Sequence, residues 1–307
     1  MSPVLPRDEH GAVVTVGTFD GVHRGHHAVL TEIAARAART GRRSVLVTFE
    51  PHPLRVVRPE AAPPLLTSRD EKKELLAQSG LDYVVFLPFT RALQMYSARR
   101  FVEEILRARI GMRELVIGYD HGFGRGREGG VETLRALGEE LGFAVDVVGP
   151  VADDEAAVSS TRIRRALLAG DVTAAAEGLG RPYQVRGTVV PGDGRGRQIG
   201  FPTANLRLSD PDKLLPREGI YAVWCSVGGE RVAGVLHVGP RPTFPGAGPT
   251  VEVHLLDFRG ELYGRELAVE FCAWLRPIEK FDSVAELTAA IAADVEAGRA
   301  ALQPPGA

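Results

Sequence analysis

The sequence predicts two domains of different fold class. The first is an α/β domain with a doubly wound parallel sheet, and the second is an antiparallel β-barrel with a long C-terminal helix. The chain has 307 residues and is 44% apolar, which is enough to fill two hydrophobic cores. In the first half, strand-like apolar runs alternate with amphipathic helical runs. After Gly180-Arg181-Pro182, short β-rich runs between Gly- and Pro-rich turns dominate.

Strands and helices alternate through the first half. We predict strands at 12–18, 44–50, 82–87, 114–119 and 144–149, helices at 26–39, 69–79, 98–109 and 130–141, and a helical tail at 159–179. Ser68 followed by Glu71 is a capping-box pattern at the start of the second of these helices. The alternation indicates a sheet whose ligands bind outside the carboxyl ends of its strands.

The second half is rich in short strands. We predict them at 184–190, 220–227, 231–238, 250–257 and 267–275, followed by one long helix at 283–301. Strands at this spacing, separated by turn signals, are typical of an antiparallel barrel or sandwich. The boundary falls near 180–184, so the predicted domains are 1–182 and 183–307.

Composition excludes several classes of function. The net charge of −2 gives no broad electrostatic reason to bind nucleic acid, and no apolar run is long enough to span a bilayer. Cys225 and Cys272 lie in apolar runs and are interpreted as buried thiols, not as a disulfide or a metal pair. The N-terminus lacks a signal-peptide pattern. We therefore expect a cytoplasmic protein without a nucleic-acid or membrane partner.

The first strand-to-helix turn carries a phosphate-binding pattern. A β-branched run stops at glycine and aspartate, and an apolar-periodic helix follows two histidines. The free N–H groups and the positive dipole end of that helix face the turn, where histidines can donate hydrogen bonds to a phosphate. A plain turn with solvated histidines is the alternative. The residues concerned are Gly17, Phe19, Asp20, His23, Gly25 and His26. This stretch resembles the phosphate-binding motif of nucleotidylyltransferases, and more narrowly the FMN adenylyltransferase module of bacterial bifunctional riboflavin kinase/FAD synthetases. The resemblance implies a Rossmann-like nucleotidylyltransferase fold for the first domain.

Two further strand ends in the first half fit the same family. The Pro51-His52-Pro53 run ends the second strand and is similar to the family's pattern, which implies flavin contacts for His52 and Pro53. After the fourth strand, Asp120 and Phe123 match the family and are expected to shape the nucleotide and flavin site. His121 stands where the family usually has phenylalanine.

A third pattern opens the helical tail. Ser159, Ser160 and Thr161 offer hydroxyl groups at a helix start, and Arg164 lies one turn further on, where a guanidinium can bind phosphate oxygens. This resembles the Ser-Ser-Thr-x-Ile-Arg motif of the same nucleotidylyltransferases. Together with the helix that follows the two histidines, this motif would hold ATP phosphates at two helix N-termini. Such an arrangement suits adenylyl transfer, because that reaction depends mainly on positioning and charge neutralisation.

A glycine- and arginine-rich stretch opens the second domain. The sequence contains no Gly-Lys pair and hence no Walker loop. The stretch resembles the Gly-Phe-Pro-Thr-Ala-Asn region of riboflavin kinases, although a glycine-rich hairpin is the structural alternative. Thr203 and Asn205 lie two apart on an extended segment and offer oxygen ligands that suit Mg²⁺ with bound phosphates. The expected phosphate-binding residues are Gly192, Arg195, Arg197 and Gly200, and Phe201 is expected to contact flavin.

Glu252 lies in an alternating strand-like run and matches the glutamate that is the general base in riboflavin kinases. A surface strand face is the alternative for the Glu252 and His254 pair. Arg276 lies in a further stretch similar to that family, which implies a flavin contact. One departure is His237, where an asparagine is usual.

The resemblance implies an enzyme with two activities. The barrel would phosphorylate riboflavin with ATP and Mg²⁺, and the α/β domain would transfer AMP from ATP to FMN, giving FAD and pyrophosphate. Two alternatives remain. One is a nucleotidylyltransferase with another acceptor, which the kinase motifs oppose, and the other is a flavin-binding paralogue that has lost one or both activities.

Overall fold

The computed structural model describes residues 5–6, 8–118, 124, 128–151, 157–192, 194–239 and 250–303. The chain forms two compact units, Met1–Ser159 and Ser160–Ala307. Each unit is described by itself. No helix among the described residues is both long enough and apolar enough to cross a membrane.

The first unit is built on a parallel sheet. Its described strands are β1 (Ala12–Val16), β2 (Arg43–Glu50), β3 (Tyr83–Pro88), β4 (Met112–Gly118) and β5 (Ala144–Val148). Within the described residues these five strands lie in the order β3-β2-β1-β4-β5. The order reverses at β1, which is therefore the topological switch point where such sheets bind ligands. The predicted Rossmann-like sheet is confirmed.

Helices cover both faces of this sheet. They are α1 (Arg24–Thr40), α2 (Pro53–Val57), α3 (Arg69–Ala77), α4 (Arg91–Gln94), α5 (Ala98–Phe101) and α6 (Val131–Leu141), with a 3₁₀ turn at Pro59–Ala61. Alternate residues of β1 point to opposite faces, so Val13 joins one hydrophobic core and Val14 the other. The predicted helix at 98–109 is α-helical only over α5 and continues as a π-helix over Val102–Arg107.

The second unit is a closed antiparallel barrel. Its described strands are β6 (Tyr183–Val190), β7 (Ala204–Leu208), β8 (Gly219–Val227), β9 (Glu230–Gly239), β10 (Thr250–Leu255) and β11 (Glu266–Arg276). These six described strands close in the order β10-β7-β6-β11-β8-β9. The predicted barrel is confirmed, and β7 is a strand that the sequence indicated only as an extended segment.

Four helices are described in the second unit: α7 (Ser160–Ala169), α8 (Val172–Leu179), α9 (Arg195–Gln198) and α10 (Val284–Leu302). The predicted tail at 159–179 is thus two helices, which are separated by Gly170 and Asp171. Helix α8 packs against β6 and β11, and α10 packs against β8, β9 and β11. The short α9 lies within the glycine- and arginine-rich stretch that precedes β7.

Candidate functional site

The turn between β1 and α1 has a strained backbone. Phe19 has φ 49° and Val22 has φ 40°, both in a region that side chains with a Cβ rarely adopt. Such conformations cost about 1–3 kcal/mol each and persist only where the surrounding structure enforces them. The turn follows β1, the switch-point strand, so the strain lies at the edge where a ligand is expected.

His23 and His26 form the N-terminus of α1 together. The backbone N–H of His26 donates to Nδ1 of His23 at 3.3 Å, and the backbone N–H of His23 donates to Nδ1 of His26 at 3.3 Å. Their rings stack with centroids 3.6 Å apart, and the Phe19 ring lies 4.6 Å from that of His26. Since each Nδ1 accepts a hydrogen bond, each neutral imidazole carries its proton on Nε2. Both rings therefore present an Nε2–H donor at a helix start.

Asp20 anchors this turn to a neighbouring segment. Its carboxylate, only 2% exposed, accepts hydrogen bonds from the backbone N–H groups of Leu66 and Thr67 and from the Thr67 hydroxyl. The backbone N–H of Gly21 in turn donates to the Thr67 hydroxyl oxygen at 3.1 Å. The contacts of Asp20 thus fix the shape of the turn. Any effect of Asp20 on phosphate binding would come from the turn that it holds in place.

Lys72 of α3 contacts the same turn, although no sequence motif includes it. Its Nζ donates to the Thr18 carbonyl at 3.2 Å, and the Thr48 hydroxyl donates to the same oxygen at 3.0 Å. Lys72 is 4% exposed. Burial lowers the pKa of this ammonium group, while the carboxylates of Asp20 and Glu50 oppose the shift.

The other expected residues of the first unit are only partly described. His52 is the N-cap of α2, where its Nδ1 accepts from the Leu54 backbone N–H at 3.2 Å, and Pro53 is the first residue of that helix. Asp120, His121 and Phe123 lie outside the described residues. Gly17 follows β1, and Gly25 is the second residue of α1.

The hydroxyl-rich motif falls at the division between the two units. Ser159 ends the first unit, and Ser160, Thr161 and Arg164 lie in the first turns of α7 in the second unit. The predicted helix start is therefore confirmed. Thr161 is exposed, and Ser159, Ser160 and Arg164 are half-buried.

In the second unit, the glycine-rich stretch lies directly on the expected metal ligands. A Cβ at Gly192 would lie 2.1 Å from Nδ2 of Asn205, and a Cβ at Gly196 would lie 2.3 Å from the Phe201 carbonyl oxygen and 3.3 Å from the Thr203 hydroxyl. Only glycine allows such approaches. Gly192 and Gly196 thus bring the arginine-bearing α9 segment against Thr203 and Asn205.

Glu252 lies on β10, directly across from Asn205 on the neighbouring strand β7. It is paired with Asn205 of β7 on one side and with His237 of β9 on the other. Paired residues of neighbouring strands project from the same face of a sheet. The half-buried Glu252 carboxylate therefore shares a face with the Asn205 amide and the His237 imidazole.

His237 and His254 flank Glu252 in different ways. Burial lowers the pKa of His237, although the Glu252 carboxylate opposes the shift. His254 donates from Nδ1 to the Pro202 carbonyl at 2.8 Å, and its ring meets that of Phe201 edge-on at 5.5 Å. His254 thus fixes the Phe201-Pro202 segment beside the strand that carries Glu252, a contact that the sequence did not indicate.

Arg276 has a structural partner in α10. Its guanidinium forms two hydrogen bonds to the Asp294 carboxylate, at 2.7 and 2.8 Å, and Asp294 is 6% exposed. This bidentate pair raises the pKa of Arg276 and joins the end of β11 to the closing helix. A flavin contact of Arg276 would have to coexist with this ion pair. The sequence analysis did not predict the contact of Asp294, because a single aspartate in an amphipathic helix is usually exposed to solvent.

The remaining phosphate-binding candidates lie along one short segment. Arg195 and Arg197 belong to α9 and are exposed, while Gly200 follows that helix. Within the described ranges, no cluster of three or more His, Cys, Asp and Glu side chains is suited to hold a metal ion. A threonine hydroxyl and an asparagine carbonyl beside phosphate are nevertheless hard oxygen donors of the kind that Mg²⁺ prefers.

The chain matches two family models. The FAD synthetase model covers residues 5–162, and the riboflavin kinase model covers residues 179–302. The first therefore includes the histidine helix and Ser159 to Thr161, and the second includes the barrel and all of α10.

Full-length relatives combine both parts. A bifunctional riboflavin kinase/FMN adenylyltransferase of Pseudomonas fluorescens is 41% identical over 300 residues, which is 97% of this chain and 96% of that protein. One of the same description from Escherichia coli (strain K12) is 38% identical over 93% of this chain and 91% of its own length. A solved structure described as a macrolide-efflux protein from Streptococcus pneumoniae has a TM-score of 0.86 and 31% identity, covering 96% of this chain and 95% of that one.

Proposed function

The chain belongs to the family of bifunctional riboflavin kinase/FMN adenylyltransferases, and from this premise we propose which of its residues perform each reaction. The protein is a transferase. It phosphorylates riboflavin to FMN with ATP, and it adenylylates FMN to FAD with release of pyrophosphate.

We assign riboflavin phosphorylation to the barrel, with Glu252 as general base. The row formed by Asn205, Glu252 and His237 is the observation that supports this most directly. The Glu252 carboxylate would take the proton of the riboflavin 5′-hydroxyl as that oxygen attacks the γ-phosphate. Phe201, held by His254, would contact the flavin.

Phosphate and metal binding would fall to the segment that precedes β7. Arg195 and Arg197 would neutralise phosphate charge, and the backbone at Gly192 and Gly200 would lie along the phosphates. Thr203 and Asn205 would hold Mg²⁺. The metal, when bound, supplies charge neutralisation on the ATP phosphates.

We assign adenylyl transfer to residues of the turn between β1 and α1 and of the hydroxyl-rich motif. The Nε2–H groups of His23 and His26 would donate to phosphate oxygens that gain charge in the transition state. Phe19 and Gly25 would shape the phosphate loop beside them. Ser159, Ser160, Thr161 and Arg164 would contribute phosphate contacts. His52, Pro53, Asp120 and Phe123 would line the flavin side.

The functional boundary that we propose lies between 182 and 183, giving an adenylyltransferase domain at 1–182 and a kinase domain at 183–307. This boundary follows α7 and α8, which belong to the second compact unit. Two fragments test it. If 183–307 is folded and phosphorylates riboflavin, the boundary stands, whereas activity confined to a 160–307 fragment would move the boundary before α7.

The assay of the full-length protein is direct. Purified protein is incubated with riboflavin, ATP and Mg²⁺, and FMN and FAD are separated by chromatography. Formation of both products supports the assignment, and omission of Mg²⁺ tests the metal. A protein that binds flavin but forms neither product would instead be a paralogue without activity. We further propose that the enzyme acts on these small molecules in the cytoplasm as a monomer or weak homo-oligomer.

A further inference from the structure

Two side chains outside the sequence motifs hold the turn between β1 and α1 in place. The Thr18 carbonyl accepts two hydrogen bonds, from the Thr48 hydroxyl at 3.0 Å and from Lys72 Nζ at 3.2 Å. Both donors lie outside the motif, and both are almost fully buried, at 0% and 4% exposure. The turn is therefore fixed by β2 and α3 as well as by its own residues.

The orientation of this carbonyl has a consequence for the next residue. The peptide group is planar and trans, so a Thr18 carbonyl that points toward Lys72 turns the N–H of Phe19 to the opposite side. The ring of Phe19 also lies 4.6 Å from that of His26. A rotation of the Thr18–Phe19 peptide would thus disturb both a backbone donor of the turn and the ring that supports His26.

Two carboxylates oppose the effect of burial on the Lys72 ammonium group. Asp20, which fixes the other side of the turn through Leu66 and Thr67, and Glu50, at the end of β2, are the carboxylates that favour its ammonium form. A buried ammonium group is costly unless it is paired and hydrogen-bonded. Asp20, Glu50 and the Thr18 carbonyl provide part of that compensation, whereas an apolar side chain in the same space would need none.

We propose that Lys72 is a positioning residue for FMN adenylylation, which holds the Thr18–Phe19 peptide in the orientation that binds the ATP phosphates. It acts through the Thr18 carbonyl and does not touch the reacting atoms. This inference rests on the proposed assignment of adenylyl transfer to the β1–α1 turn.

The test uses the full-length protein and three single variants. Lys72→Met removes the ammonium group with little change of volume, and Thr48→Val removes the other donor to the same carbonyl while leaving the charges intact. Lys73→Met is the matched control, because Lys73 follows Lys72 in α3 but its side chain is 45% exposed and pairs with Asp70. FAD formation from FMN and FMN formation from riboflavin are measured separately, together with thermal unfolding.

We expect Lys72→Met to raise the KM for ATP in FAD formation by about tenfold to a hundredfold, because small misplacements of binding groups have effects of this size. The KM for FMN and the rate of riboflavin phosphorylation should stay near their wild-type values. Thr48→Val should raise the same KM by a smaller factor, and Lys73→Met should leave it unchanged.

Other outcomes would overturn the proposal. A folded Lys72→Met protein with an unchanged KM for ATP, or with KM values for ATP and FMN raised equally, would make Lys72 structural. If Lys72→Met does not fold, Thr48→Val decides, and a wild-type KM for ATP in that variant rejects positioning through the carbonyl. A wild-type protein that forms no FAD would instead refute the proposed function, and this inference with it.

Discussion

Gly192→Ala tests the kinase site through a single methyl group. The new Cβ would lie 2.1 Å from Nδ2 of Asn205, about 1.3 Å inside the 3.4 Å at which ordinary van der Waals contact begins. The colliding atoms are Nδ2, Cγ and Oδ1 of the Asn205 side chain and not backbone, so the whole side chain can turn away at χ1 and the barrel should still fold. The rotation displaces one of the two proposed Mg²⁺ ligands.

A displacement of about 1 Å can cost about 10²-fold in rate, so we expect riboflavin phosphorylation to fall by about this factor. FAD formation from supplied FMN should be unchanged, because it belongs to the other unit. The rates are measured with saturating ATP over a range of Mg²⁺ concentrations, since a displaced ligand should also weaken the metal dependence.

Gly149→Ala is the matched control. It is the same substitution at a position where a Cβ meets nothing within 4 Å, and it should change neither reaction. If Gly192→Ala is folded and phosphorylates riboflavin at the wild-type rate with the wild-type Mg²⁺ dependence, the Asn205 amide has no part in the kinase reaction.

Three further predictions concern single side chains. His26→Ala should slow FAD formation by about 10² to 10³ and spare FMN formation, because it removes a preorganised donor, and equal loss of both rates would contradict the two-site assignment. Glu252→Gln should slow riboflavin phosphorylation by about 10² to 10⁴, and a wild-type rate would exclude Glu252 as the base. Burial lowers the pKa of His237 below its ordinary 6.5, so the unfolded chain binds the proton more readily and the barrel should lose stability as pH falls through 6.5. His237→Asn should reduce that loss in thermal unfolding measured between about pH 7 and pH 5, and an identical pH dependence in both proteins would reject this explanation.

Local patterns predicted most of the fold because they depend on near neighbours in the sequence. The period-two runs of the second half became barrel strands, and the alternation in the first half became the parallel sheet. Strand β7 was predicted only as an extended segment, because the glycine and proline just before it are typical of a turn and give no sign of where the strand begins. The π-helical segment at Val102–Arg107 leaves no trace in apolar periodicity.

The sequence predicted those residues of the candidate site that lie close together in one motif. It did not predict residues whose contacts join distant parts of the sequence. His23 and His26 are three residues apart and could be recognised together. Lys72 lies 54 residues from Thr18, in a helix segment whose charges read as a solvated face. Asp294 pairs with Arg276 across 18 residues, and only the packing of α10 brings the two together.

The reciprocal cap formed by His23 and His26 has a consequence for engineering this enzyme. In each imidazole Nδ1 caps α1, while Nε2–H is the donor that we propose for phosphate, so both properties depend on the same ring. A helix cap is worth about 1 kcal/mol, so we expect removal of either ring to lower stability as well as the proposed activity. In a directed-evolution library randomised at these two positions, many variants would lose stability, and that loss would be mixed with any change in catalysis. Changes in substrate preference are better sought at residues that leave both rings in place.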